Sequence, residues 1–483
     1  MAEAGGNNFT GVLAAFSADL EWNQLPAEVV HQAERLILDT CCCAVGGYAL
    51  DNSKKFVHAV AQMGGRQEAT VVGTHIKCPS SMAAFANTQM ANALDLDDAL
   101  LYQSHLANTA VMPAMAVAES EHSGGKELVT AVVAAFETSA RITLSMPGTL
   151  RARKGSPNVA LDWQDHVGHS YNVFGAAVGA GRILGLRPNE MANAMGIAGY
   201  TAPVPTIGRA FSNPSLSDMK YTAYGWMALS GVLAAQLARD GMTGDPEILD
   251  GPDGFWHLVG ADSWDYDPHM RDLGSRWWIL STSFKPYPAG TWMRNSMLAL
   301  DQIIDSENIA GDEIERIVVH TWLLRQAGPA VQRQFNSYLD TQVSYPYLLT
   351  MRALRIPANR WHEEEVYRSQ EVLSLIPRIE FAYDQGATDT IAREMVDWYG
   401  RTTKAPATVE VYARGTVYTA RSDYGKGDPF QADTRLSDAD LCDKFRLHTR
   451  DIIRSAHVDK VLDLLLDVSN VQDVSDVLGL LTP

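Results

Sequence analysis

The chain has 483 residues, of which 46% are hydrophobic and 20% charged, and 39 Lys and Arg stand against 57 Asp and Glu for a net charge of −18. Such a composition is too apolar for a disordered chain, and at about 150 residues per domain the length fits roughly three small domains, or one large domain and a smaller one. The acidic balance argues against a nucleic-acid surface, which needs basic groups to release counterions, but leaves room for an anionic small substrate in a locally basic pocket.

In chain order, residues 29–43 place Val30, Ala33, Leu36, Ile37, Thr40 and Cys41 at helical spacing, and Gly46-Gly47 ends the run. Cys41, Cys42 and Cys43 are consecutive, and only Cys78 and Cys442 join them. An odd count without a CxxC pair reads as reduced thiols packed as small hydrophobes, and hence as a cytosolic setting. The start of the chain lacks a basic segment followed by an apolar run, and no uninterrupted apolar stretch reaches the roughly 18 residues that span a bilayer. The expectation is a cytoplasmic protein with no membrane and no nucleic-acid partner.

Residues 68–74 predict a short strand, and 80–96 and 127–144 predict helices. Residues 170–184 predict a helix rich in Gly and Ala, where another backbone packs closely, since glycine otherwise weakens a helix. Helices follow at 188–199 and 223–239. From about residue 277 the texture changes: 316–322 is β-branched, 407–422 reads as a hairpin turning at Arg414-Gly415, and helices are expected at 343–354 and 388–396. Past the turn-rich 425–429, Ser437 opens a helix and 458–466 is amphipathic. The reading is a mainly α protein, with a helical body over 1–279, an α+β domain over 280–428, and a return to the body over 429–483.

Phosphate loops, serine elbows, zinc-helix motifs and dinucleotide fingerprints are absent, and the 13 histidines show no zinc-ligand spacing. Chemistry must then come from dispersed side chains. Asp95, Asp97 and Asp98 interrupt an apolar stretch at a helix C-terminus, where acids oppose the helix dipole, and His105 follows in a loop; the same residues would also serve as caps and a hydrogen-bonded loop histidine. Asp165, His166 and His169 lead into the Gly/Ala-rich helix, whose N-terminal field favours a neutral imidazole. Lys220 and Lys285 lie in apolar or aromatic surroundings, and lysine is seldom buried unpaired; the pair suits a substrate with two or more carboxylates, or else snorkels at the surface.

Taken in order, NALDLDDA (92–99) with His105, GHS (168–170), the Lys220 segment, FKPYPAG (284–290), QVSYPYLL (342–349) and DKF (443–445) resemble the MmgE/PrpD family over nearly the whole chain. That family includes 2-methylcitrate dehydratases, cis-aconitate decarboxylases and iminodisuccinate epimerases. The resemblance implies a cofactor-free, metal-free homodimer in which a helical domain built from both chain ends carries an inserted α+β lid. It also implies a site between body and lid at Asp95, His105, His169, Lys220, Lys285 and Tyr347. Three positions depart from the decarboxylase pattern, Ala99, Ala223 and Gly290, and Tyr102-Gln103 precede the loop histidine in place of the more usual residues.

The reactions of that family share a carbanion made or quenched beside a carboxylate. On that basis Lys220 and Lys285 would bind the substrate and stabilise the developing charge. His105 would transfer the proton with Asp95 orienting or charging its ring, His169 would be the second proton-transfer group, and Tyr347 would donate to the leaving oxygen. A His–Asp pair would raise the histidine pKa. The expected activity is a lyase that dehydrates or hydrates a small hydroxylated di- or tricarboxylate. The alternatives are an epimerase or isomerase, a decarboxylase, and a catalytically silent binding paralogue.

Overall fold

The computed structural model describes residues 8–153, 159–163, 168–213, 215–323 and 329–483; Asp165 and His166 lie outside them. The first half is a layered body of helices: α1 (Phe9–Asp19), α2 (Ala27–Gly47), α3 (Asp51–Met63), α4 (Ser80–Ala93), α5 (Ala107–Ser120), α6 (Gly125–Ser145), α7 (Asn172–Ile183), α8 (Pro188–Tyr200), α9 (Ile207–Phe211) and α10 (Tyr224–Arg239). Helix α7 packs between α6, α5 and α10. Its glycines permit this: a Cβ on Gly175 would fall 2.3 Å from the Ser139 hydroxyl and 3.2 Å from the Ala135 carbonyl, so the small-residue stripe answers to close helix packing.

Helix α6 is long and apolar enough to cross a bilayer, yet from Leu128 to Ser145 it is buried in the interior. It also carries Arg141, which lies 3.6 Å from Glu137 and 2.7 Å from Asp272.

A second hydrophobic cluster surrounds a four-stranded sheet. Ile314–Thr321 lies beside Ala407–Ala413 in antiparallel register and beside Ile379–Tyr383 in parallel register, and Thr416–Ser422 completes one edge. The hairpin turns at Arg414-Gly415, both at positive φ, +54° and +66°, as a two-residue turn with the twist of its strands requires. Helices Arg294–Ser306, Tyr345–Ala353 and Gln385–Asp397 supply Leu300, Leu349 and Ile391 to the same cluster.

The helices Asp438–Thr449 and Ser455–Leu466 return to the body, where Phe445, Val461 and Leu465 share one buried cluster with Val29, Leu36 and Leu128. Ser437 caps the first of them in a capping box with Asp440.

The expected strand at 68–74 shrinks to Ala69–Thr70, paired with Lys77–Cys78. The buried Glu119 carboxylate takes the Thr70 N–H and hydroxyl, so the segment is held by a side chain and needs no wider sheet.

Two backbone contacts hold the Lys285 segment against the aspartate loop. The ladder Ala99–Leu100 with Thr282–Ser283 joins the segment after the aspartates to the segment before Lys285. On its other side, Phe284 donates its N–H to the Gly427 carbonyl. Gly427 has φ +95°, and a Cβ there would overlap the Phe284 carbonyl, so only glycine lets the two backbones approach this closely.

Candidate active site

Helix α4 ends at Ala93 with Leu94 as its C-cap, and the next residue, Asp95, takes the left-handed conformation at φ +57°. Glycine usually fills that position because a Cβ costs about 1–2 kcal/mol there. The conformation is maintained by donors that satisfy the carbonyls a helix C-terminus leaves unpaired. The Asn92 carbonyl accepts from Lys220 Nζ at 2.6 Å, Ala93 from Gln342 Nε2 at 2.8 Å, Leu94 from His362 Nε2 at 3.3 Å, Asp95 from Lys285 Nζ at 3.0 Å and Leu96 from Lys444 Nζ at 3.0 Å. Three of these five donors are ammonium groups at the negative end of a helix dipole, which offsets the unfavourable placement of the aspartates that follow.

The Asp95 carboxylate is 3% exposed, with Oδ1 3.4 Å from Lys285 Nζ, 3.5 Å from Lys220 Nζ, and 3.4 Å from the Tyr221 hydroxyl that donates to it. Burial pushes its pKa up, but Lys285, Lys220 and His105 together outweigh that and hold the carboxyl far below its usual range. Burial lowers the Lys220 pKa against the pull of Asp95 and Asp97. An ammonium has three N–H donors: Lys285 directs its own to Asp95 O and Oδ1, with Asp97 Oδ1 at 3.9 Å. Lys285 therefore holds the loop, while Lys220, with Asn92 O and Asp95 Oδ1 as its described acceptors, retains a donor for a ligand.

His105 lies on the next turn of the loop, with 12% of its side chain exposed. Its Nδ1 is 2.5 Å from the Asp98 carbonyl oxygen; a carbonyl only accepts, so Nδ1 carries the proton and Nε2 is the basic nitrogen. Burial, and then Lys285, lower the His105 pKa against Asp97 and Asp95, so the ring is neutral. This corrects one half of the expected His105–Asp95 pair: the Asp98 backbone orients the ring and Asp95 faces the lysines, though its charge still acts on His105, and the nearest carboxylate is Asp97, 3.7 Å from Nδ1. Asp98 itself caps α5, accepting from the N–H groups of Leu106 and Ala107; burial and Asp97 push its pKa up to about 8.

His169 stands beside His105, ring centroids 5.8 Å apart, with Nδ1 3.1 Å from the Tyr171 hydroxyl. Burial, reinforced by His105 and Arg401, lowers its pKa to about 3. Neither histidine thus brings an imidazolium proton at neutral pH.

Tyr347 is the sequence-expected residue that the structure places elsewhere. Its hydroxyl donates to the Trp361 carbonyl and its ring packs on Phe335 at 5.3 Å, inside the lid core. It occupies an N-terminal turn of Tyr345–Ala353, whose Ser344 cap accepts its N–H. Tyr102 and Gln103 also face away, into the seam between body and lid: Tyr102 bonds Asp428 and Asn295, and Gln103 bonds the Gly400 carbonyl and the Leu150 N–H.

Residues that the sequence pattern did not single out complete the cluster. Asn92 donates to Asp97 Oδ2 at 2.9 Å and to the Tyr221 hydroxyl at 3.0 Å, and Asn108 also donates to Asp97. Tyr221 adjoins Lys220 and Gln342 stands within QVSYPYLL, so position beside a motif was their signal; His362 had none. Asp97, Asp98 and His105 bring ligand atoms within 4.8 Å of one another, as a cation would require. Both Asp98 oxygens, Asp97 Oδ2 and His105 Nδ1 are engaged by protein partners, whereas Asp97 Oδ1 has no hydrogen-bond partner among the described residues.

Two imidazoles, two buried lysines and a fixed carboxylate thus stand together where the helical body meets the lid. The MmgE/PrpD N-terminal domain profile matches residues 11–267 and the MmgE/PrpD C-terminal domain profile residues 287–468; the chain belongs to this family. It is similar to the cis-aconitate decarboxylase of Homo sapiens, 24% identical over 96% of this chain and 92% of that one, and to the cis-aconitate decarboxylase of Aspergillus terreus, 23% identical over 71% of each. The cis-aconitate decarboxylase-like protein oryM of Aspergillus oryzae is 28% identical, in a match that spans 50% of this chain and 49% of that protein.

Proposed function

We propose that the chain is a lyase that dehydrates, or in reverse hydrates, a small hydroxylated di- or tricarboxylate through an α-carbanion. The observation that carries this reading is the His105 ring, neutral and fixed by the Asp98 carbonyl so that Nε2 is its base, beside the buried ammonium groups of Lys220 and Lys285. His105 Nε2 removes the proton α to the carboxylate. The charge that develops on the carboxylate oxygens is stabilised by Lys220, with Lys285 and Asp95 keeping that ammonium in place; fixed charge in a water-poor site needs no reorganisation during the step. The departing hydroxyl takes a proton from Lys220, whose acidity burial increases, and leaves as water. His169, neutral, orients the substrate through its ring N–H.

Decarboxylation is the second reading, favoured by the names of the similar proteins. Against it stand Ala99, Ala223 and Gly290. At Gly290 a Cβ would come no closer than 3.5 Å to Met293, so the position has room for a side chain that the sequence does not supply. Epimerisation would use His105 and His169 as paired bases, and a silent binding role would leave all of these groups idle. Proton NMR in D₂O with 2-methylcitrate, citrate, cis-aconitate and malate-type acids separates them. A new vinyl signal from a hydroxy acid, with loss of the signals beside its hydroxyl-bearing carbon, supports the dehydratase, deuterium at the α-carbon without a new product supports the epimerase, and release of carbon dioxide from cis-aconitate supports the decarboxylase.

The assembly is proposed to be a homodimer through α10 and its surroundings. Trp226, Leu233 and Leu237 lie at i, i+7 and i+11 and are 48%, 41% and 40% exposed, with Tyr200 nearby in sequence at 77%, an apolar stripe of the kind that marks interfaces. Sedimentation of a Leu233→Glu, Leu237→Glu variant as a monomer would support this face, and an unchanged mass would exclude it.

A further inference from the structure

Gln342 and His362 belong to the lid, yet Gln342 Nε2 donates to the Ala93 carbonyl and His362 Nε2, which also stands 3.4 Å from Gln342 Nε2, to the Leu94 carbonyl, the last two carbonyls before Asp95. Gln342 is fully buried, and its own carbonyl accepts the N–H of Gly290 at 3.2 Å, so this one residue ties the end of the Lys285 segment to the end of α4. The two peptide planes that it and His362 fix set the direction in which Asp95 leaves the helix. A non-glycine residue at φ +57° does not stay there unless the groups around it dictate the conformation. Rotation of either plane would swing Asp95 Oδ1 away from Lys220 and Lys285 together.

We propose that Gln342 and His362 are positioning residues for the reaction, through which the lid, beside the direct contact of its Lys285, sets the Asp95 carboxylate by way of backbone carbonyls. The role assigned to turnover rests on the lyase reading; the structural coupling does not. Charge at Asp95 is felt by His105, which also faces Asp97, Lys285 and the neighbouring His169, so the His105 ring reports the position of Asp95 without any substrate.

The experiment compares wild type with Gln342→Met and His362→Phe, which keep bulk and remove the donor, and with His362→Gln, which keeps a donor. The His105 ring is titrated by NMR, and kcat and KM are measured on whichever acid the wild type turns over. The expected result is a displaced His105 titration and a kcat about 10- to 100-fold lower in both donor-less variants, with KM little changed and with His362→Gln close to wild type. A merely structural role would lower the melting temperature while leaving the His105 titration and kcat in place, and that outcome overturns the proposal. Should one variant fail to fold, the other decides. If the wild type acts on none of the acids, the lyase reading fails, and the His105 titration still settles the coupling.

Discussion

Replacing Lys285 by Met tests the electrostatic reading of the site most directly. The side chain is fully buried and its ammonium lies 3.4 Å from Asp95 Oδ1, 3.0 Å from the Asp95 carbonyl and 3.9 Å from Asp97 Oδ1. A unit charge pair at 3.4 Å is worth about 5 kcal/mol at an effective dielectric of about 20, part of which offsets the desolvation of the lysine. Removing one partner leaves a buried carboxylate uncompensated, and the net loss should be about 3–5 kcal/mol. The loss should also depend on pH in a defined direction. In the wild type the Asp95 pKa is depressed, so its stabilising contribution is present above its ordinary value of 3.8 and is lost as pH falls through the lower folded value. In the variant burial, the largest influence on Asp95, is opposed by Lys220, His105 and the Tyr221 hydroxyl without the Lys285 ammonium, and the carboxyl moves up. A raised carboxyl destabilises above its ordinary value, so the gap from wild type should be full at pH 7.5 and narrow toward pH 4. Urea unfolding at several pH values measures this, and Asp95→Asn in the Lys285→Met background should recover most of the loss. A variant within about 1 kcal/mol of wild type at pH 7.5, or a gap that does not narrow in acid, would refute this electrostatic account.

Other outcomes derive from the same geometry. His105→Ala should keep the fold and lower turnover by about 10²- to 10⁴-fold; retention of more than about a tenth of the rate would remove His105 as the base. The profile of kcat/KM against pH should be a bell, with an acid limb below 6.5 because the His105 pKa is lowered and an alkaline limb below 10.5 because that of Lys220 is lowered; limbs outside that window would contradict these assignments. Cys41, Cys42 and Cys43 are buried thiols with raised pKa values, Cys42 at about 12. A thiol reagent should therefore modify the partly exposed Cys442 first and reach the triplet only on unfolding, as peptide mapping by mass spectrometry would show.

The helix at 458–466 was legible because burial on one face imposes a period, whereas 127–144 and the glycine-rich 170–184, buried on every side, were legible from their long apolar runs. The antiparallel pair of four-residue strands Leu150–Arg153 and Ala160–Trp163 and the ladder Ala99–Leu100 with Thr282–Ser283 are too short to carry a period. Ile379–Tyr383 pairs in parallel with a strand some sixty residues earlier, which no local pattern announces. At the site, residue type and order brought together Asp95, His105, His169, Lys220 and Lys285. What they could not show was the direction of each group: that His105 would face a backbone oxygen and not Asp95, or that the Tyr347 hydroxyl would be used inside the lid. Those choices are set by peptide groups, and every residue has one.

The donors on the loop after α4 come from residues 220, 285, 342, 362 and 444, and the most distant, Lys444, reaches back 348 positions to the Leu96 carbonyl. On a ribosome adding about 5–20 residues per second, Lys444 appears roughly 20–70 s after the loop it will hold. Helices α1 to α10 can form and pack in that interval, but their nascent assembly holds the aspartate loop by Lys220 alone of these five donors. A fragment ending near residue 267, however helical, would therefore emerge with the loop's other four carbonyls still open to water.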